Sequence, residues 1–230
     1  MGILYIVPTP IGNLQDITLR AIEVLNSVDL IICEDTRVTG GLLHHLGIKK
    51  DMAVLNDNNE ENKIYEVIDK LTNGLNIALV SDSGTPLISD PGFKLIRTAL
   101  QKNIQIIPLP GANAITTALC ASGLPTDKFL FLGFPPDSLE RKKKFFLGVK
   151  NTFYENPESN LNPTIIFYES PHKLLRCLEA LASVFGDIEI VIAREMTKMY
   201  EEFLTGTASY MIQHFTKTQP KGELVVMFHL

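Results

Sequence analysis

Three short segments of this sequence place ionisable side chains directly behind apolar runs, where a folded chain can hold them at a site. Glu34-Asp35-Thr36-Arg37 follows an apolar run over 30–33. Glu169 and His172 stand in Phe167-Tyr168-Glu169-Ser170-Pro171-His172, and Ala193-Arg194-Glu195-Met196-Thr197-Lys198 closes a third run. Carboxylates and imidazoles so placed can move protons, and neighbouring cations can orient an anion. Each also has a plainer structural account. The first segment reads equally well as an internal ion pair, and His172 as a helix cap or surface residue. No Ser/His/Asp order, metal-ligand spacing or H-E-x-x-H pattern accompanies them, so metal catalysis finds no support.

Three further loops carry little charge but unusual backbone chemistry. Pro8-Thr9-Pro10-Ile11-Gly12-Asn13-Leu14 lacks the G-x-G-x-x-G and G-K-[ST] spacings that cradle pyrophosphate, and taken alone it is best read as a turn. Residues 81–92, Ser-Asp-Ser-Gly-Thr-Pro-Leu-Ile-Ser-Asp-Pro-Gly, exceed the roughly two to six residues that a strand-to-helix connection needs. Long polar loops at strand ends are more often ligand sites than spacers. Pro110-Gly111-Ala112-Asn113-Ala114 opens a helix with small side chains, so a ligand could approach its free N–H groups, although an ordinary capped helix fits as well.

Hydrophobic periodicity supplies the elements that position these loops. Apolar runs over 3–7, 30–33, 53–55, 77–80 and 104–108 predict strands. Helical spacing predicts helices over 19–26 behind Thr18, 42–46, 60–71, 93–101 and from 113 through Cys120. Such βα repeats imply a mostly parallel sheet covered on both faces, with ligands beyond the strands' carboxyl ends. Beyond Phe129 the expectation is a mixed or antiparallel sheet from strands over 129–132, 164–168, 189–193, 201–204 and 224–228, the last two joined by short connections. Helices are expected over 139–149 and 174–185. The boundary between two α/β domains, 1–112 and 113–230, falls near Pro110, and residues 151–163, rich in Asn and Pro, read as a surface loop.

The chain has 230 residues, 45% hydrophobic, with no apolar stretch of membrane-spanning length and no signal-peptide pattern. Cys33, Cys120 and Cys177 are odd in number and widely spaced, which fits buried thiols in a reducing, intracellular setting. A formal net charge of −5 argues mildly against nonspecific nucleic-acid binding. Arg141-Lys142-Lys143-Lys144 is the exception. It reads as a solvated helix face or as an RNA-contacting patch.

Taken in order along the chain, these motifs resemble the tetrapyrrole methylase superfamily, and within it a subfamily acting on small-subunit ribosomal RNA. The resemblance runs from Leu4 to Val226 and also rests on Ala78-Leu79-Val80, Pro108-Leu109-Pro110-Gly111 and Lys221-Gly222-Glu223. It implies a cytoplasmic homodimer of two-domain chains, with S-adenosylmethionine in the interdomain cleft. The implied activity is 2′-O-methylation of a cytidine ribose; methylation of a tetrapyrrole or another small molecule is the alternative. Carried over by position, the cofactor contacts are Pro8, Thr9, Pro10, Gly84, Thr85, Pro86, Ile88, Asn113, Ala114, Phe167, Tyr168, Met196 and Gly222. A ribose hydroxyl needs a positioned base; the candidates are Glu195, Glu169 and Asp35, with Arg37, Arg194 and Lys198 to orient phosphate or stabilise the developing alkoxide. Two departures stand out: Asp57-Asn58-Asn59-Glu60 replaces an expected His-bearing turn, and the subfamily's members often extend beyond the position of Leu230.

Overall fold

Apolar runs buried on both faces make the centre of the first sheet. In the computed structural model, which describes residues 1–56, 60–155 and 161–230, the chain divides into two units, Met1–Asn113 and Ala114–Leu230. In the first unit, strands β1 (Ile3–Ile6), β2 (Leu30–Cys33), β3 (Met52–Val54), β4 (Ile77–Leu79) and β5 (Gln105–Pro108) form one sheet in the order β3-β2-β4-β1-β5. Every pairing is parallel. Alternate residues serve opposite faces. Ile32 and Leu79 pack with helices α3 (Glu60–Thr72) and α4 (Phe93–Gln101), whereas Ile31 and Ala78 pack with α1 (Leu19–Ser27) and α2 (Thr36–His45).

Helix caps set where the chain enters each loop. Thr18 accepts a hydrogen bond from the Ala21 N–H and starts α1, as its position before the periodic run predicts. The second helix corrects its expected span of 42–46. It begins at Thr36, with Asp35 as its cap, so Thr36 and Arg37 form its first turn. Residues 57–59, the turn expected to carry a histidine, lie outside the described residues.

The second unit opens with α5 (Ala114–Ala121) and builds a mixed sheet in the order β6-β7-β10-β8-β9, from β6 (Phe129–Phe131), β7 (Thr164–Glu169), β8 (Glu189–Arg194), β9 (Glu202–Thr207) and β10 (Leu224–Phe228). Only β6 and β7 pair in parallel. Because β10 runs antiparallel to both β7 and β8, the carboxyl ends of β6, β7 and β8 share an edge with the start of β10. Helices α6 (Leu139–Phe153), α7 (Leu174–Phe185) and α8 (Ala208–Lys217) supply its core, including Phe146, Leu178 and Met211.

Two expectations fail here. Helix α8 stands between β9 and β10 where a short connection was expected. Thr207 ends β9 and caps α8 in one residue, through its side-chain bond from Tyr210 N–H, so strand passes to helix with no intervening loop. Helix α6 runs into the Asn/Pro-rich segment as far as Phe153, and residues 156–160 lie outside the described residues. No helix among the described residues is long and apolar enough to cross a membrane.

Candidate functional site

The parallel sheet brings the loops after β1, β4 and β5 to one edge of the first unit, where they are tied to one another. Thr9 N–H donates to Gly84 O at 2.9 Å, and Gly84 N–H returns a bond to Thr9 O at 3.0 Å. The buried Thr9 hydroxyl donates to Ser81 O at 3.0 Å, Ser81 Oγ to Gly84 O at 3.1 Å, and Thr85 Oγ1 to Ala112 O at 2.9 Å. Their hydroxyls therefore serve the scaffold. Gly84 takes φ 83°, and Gly111 approaches Pro8 so closely that a Cβ there would lie 2.6 Å from the proline Cβ. Leu87 and Ser89 also hold positive φ, at 76° and 70°, a conformation that non-glycine residues adopt at some cost. Ile88, between them, is exposed. The result is an edge lined largely by backbone and by small or rigid residues.

On the same edge, Asp35 is engaged twice. It caps α2 by accepting from Arg37 N–H at 2.8 Å and pairs with the Arg37 guanidinium. The Arg37 side chain, with its backbone N–H, pulls the Asp35 carboxyl down to about 2. A carboxylate so stabilised is a poor proton acceptor. Next to it, Asp82 accepts a bond from Asp35 N–H at 3.2 Å. Burial pushes the Asp82 carboxyl up and the nearby Asp35 charge adds to this, against the pull of that hydrogen bond.

The second unit gathers its own set at the edge where β7 and β8 end and β10 begins. Leu224 lies opposite both Glu169 and Arg194, which brings Gly222 near the turns that follow those two strands. Glu195 adopts φ 49° and Thr197 φ 65°, in a turn closed by Lys198 N–H donating to Glu195 O at 3.0 Å. Lys198 Nζ also donates to Glu195 Oε1 at 3.0 Å. The Glu195 side chain lies over Gly222, where a Cβ would fall 1.8 Å from Oε1. Gly222 itself has φ 78°, so a side chain there is excluded by both space and backbone. Arg194 is paired with Glu202.

Residues 3–211 match the family of tetrapyrrole (corrin/porphyrin) methylases. The chain belongs to this family. It is 50% identical over 231 residues to the ribosomal RNA small subunit methyltransferase I of Haemophilus influenzae, covering 98% of this chain and 78% of that relative. The protein of the same name from Thermotoga maritima is 43% identical, with 99% of this chain and 98% of the relative covered. Among solved structures, the uroporphyrin-III-C-methyltransferase of Thermus thermophilus superposes with a TM-score of 0.67 at 19% identity, over 99% of this chain and 94% of that one. That likeness speaks to the fold.

Against the tetrapyrrole methylase frame, the residues singled out from sequence separate into distinct environments. Pro8, Thr9, Gly84 and Pro86 are buried in the loop staple, while Pro10, Thr85, Asn113 and Ala114 are half-buried. Phe167 is fully buried within the second unit's core. Met196 is also buried; Tyr168, half-buried, packs edge-on against Phe131 with ring centroids 5.0 Å apart.

Glu169 is engaged in a buried pair. Its carboxylate is buried, ion-paired with the equally buried Lys142, and accepts from Ser170 N–H at 2.9 Å. Burial beside this pair pushes the Cys177 thiol well up. Lys142 accordingly leaves the basic run. Arg141 and Lys144 are exposed and Lys143 is half-buried, so the four residues do not form one face. Asp82 is the ionisable residue that sequence reasoning passed over. Its place between Ser81 and Ser83 hid it among loop-forming residues.

Proposed function

We propose that this tetrapyrrole methylase transfers a methyl group from S-adenosylmethionine to the 2′-hydroxyl of a cytidine in small-subunit ribosomal RNA. The observation that carries this reading is the near-full-length match, at 43–50% identity, to relatives named for that ribosomal substrate. The edge of the first unit fits the cofactor. Gly84 and Gly111 keep side chains out of its loops. Pro8–Pro10, Gly84–Ile88, Asn113 and Ala114 would hold it. When bound, it supplies an electrophilic methyl carbon on a sulfonium.

The overall reaction balances simply. The ribose oxygen gains the methyl group and loses its proton, and the cofactor leaves as a neutral thioether. The chain must therefore accept one proton and hold the hydroxyl in line, and such alignment is worth about 7–11 kcal/mol of barrier in well-oriented reactions. Of the three carboxylates singled out, Asp35 is a helix cap and Glu169 a buried ion-pair member. Glu195 is the base we propose. Lys198 fixes its orientation, and a positioned base contributes roughly 10²–10⁴-fold. The family resemblance also supports a cytoplasmic homodimer, which sedimentation velocity tests directly.

Hypomethylated small subunits incubated with methyl-labelled cofactor and the protein test the activity. Label recovered as 2′-O-methylcytidine after nuclease digestion supports it. Label appearing only on an added tetrapyrrole, or on a base, overturns it.

A further inference from the structure

The edge of the second unit carries an aromatic group that no step above uses. After β6 the chain turns through Gly133, at φ 65°, into Phe134-Pro135-Pro136 before Ser138 caps α6. The Phe134 side chain is 57% exposed. Its ring lies 5.4 Å from that of Tyr168 at a tilt of 53°. A single exposed phenylalanine is ordinary. This one is held in place from several sides. Tyr168 N–H donates to Gly133 O at 2.9 Å. The buried Lys142–Glu169 pair ties α6 to the end of β7, and Asp137 pairs with Lys173 across the starts of α6 and α7. Two prolines fix φ directly after the ring. A ring on a backbone so held loses less entropy when it is covered than one on a mobile loop.

Charge at the starts of α6 and α7 is uneven. The nearby carboxylates of Asp137 and Glu140 are each neutralised by a lysine, Lys173 and Lys143. Arg141 in the first turn of α6 and Arg176 in the first turn of α7 are exposed and make no ion pair among the described residues. An exposed aromatic face packed on Tyr168, with exposed guanidinium groups in the first turns of α6 and α7, is a combination suited to single-stranded RNA, with a base on the ring and phosphates on the cations.

We infer that Phe134 stacks a base of the substrate RNA and that Arg141 and Arg176 take flanking phosphates. This rests on the ribosomal reading above. It also replaces the four-residue basic run as the RNA contact, because Lys142 faces inward.

The test compares the native protein with Phe134→Ala, Phe134→Trp and the double variant Arg141→Ala/Arg176→Ala. Three quantities are read: KM for hypomethylated small subunits, affinity for a fluorescein-labelled single-stranded oligoribonucleotide, and affinity for S-adenosylmethionine by calorimetry. Loss of one stacked base weakens binding about 5- to 150-fold. That is the rise expected in both RNA constants for Phe134→Ala, with cofactor affinity unchanged and the tryptophan restoring binding. The double arginine variant should flatten the dependence of oligonucleotide binding on salt. Native-like RNA constants for Phe134→Ala overturn this inference alone, provided the native protein methylates subunits. Lost cofactor affinity in that variant also overturns it, assigning the ring to the cofactor. A native protein inactive on subunits overturns the ribosomal reading and this inference together.

Discussion

Replacing Lys142 by methionine keeps most of the side chain's length and removes its ammonium group, leaving Glu169 charged and fully buried. Both side chains are shielded from solvent, at 0% and 1% exposure. Removing one partner of such a pair is strongly destabilising, about 3–5 kcal/mol, because the remaining charge keeps its desolvation penalty without compensation. In a chain of this length 1 kcal/mol moves the melting temperature by roughly 2–4 °C, so the single variant should melt roughly 6–20 °C lower. The double variant Lys142→Met/Glu169→Leu removes both charges. It should recover most of the loss, since well-packed apolar replacements of buried pairs are often neutral or stabilising. Calorimetric melting of the four proteins closes a double-mutant cycle. A Lys142→Met protein that melts with the native one refutes the buried-pair account, and so does a double variant as unstable as the single.

Other consequences are equally concrete. Gly111→Ala drives a Cβ to 2.6 Å from that of Pro8, so the loops after β1 and β5 must part; calorimetry should show weaker cofactor binding, and unchanged affinity would separate those loops from the cofactor. Glu195→Gln should lower kcat for subunit methylation by roughly 10²–10⁴-fold while cofactor affinity holds, and an unchanged kcat would remove Glu195 as the base. Asp35 should titrate at about 2 by carboxyl NMR, and its midpoint should rise toward the usual range in Arg37→Ala. Because its folded value is lowered, Asp35 contributes stability above the unfolded carboxylate range, and that contribution fades as pH falls toward about 2.

The first sheet was legible because strands buried on both faces read as unbroken apolar runs, as 31–33 and 77–79 do. Helix boundaries were legible where a cap stands before the run, as Thr18 does, and hidden elsewhere. The first turns of α2 contain Thr36, Val38, Thr39 and the pair Gly40-Gly41, all weak helix formers. Packing of Thr39, Leu42 and Leu43 holds that helix together. Helix α8 carried its signal in Ala208, Met211 and Phe215, which recur on one buried face, but it follows β9 with no loop between them.

At the candidate site, loop composition singled out the segments that the first sheet brings to one edge and concealed what their side chains do. The hydroxyls of Thr9, Ser81 and Thr85 turn to neighbouring carbonyls, and only the tertiary contacts reveal those partners. The inward direction of Lys142 could have been read from Phe146 and Val149, four and seven residues on and both buried. The density of charge in 141–144 drew attention away from that spacing.

A crystal structure of the protein with S-adenosylmethionine tests the central claim most directly. The expected result is the adenosyl group against residues 8–10, 84–88 and 111–114, contacted mainly by backbone N–H and C=O groups. Cofactor seated at the opposite edge of the sheet, for example in the groove of about 540 Å³ lined by Leu43, His44, Lys49 and Met52, would contradict it.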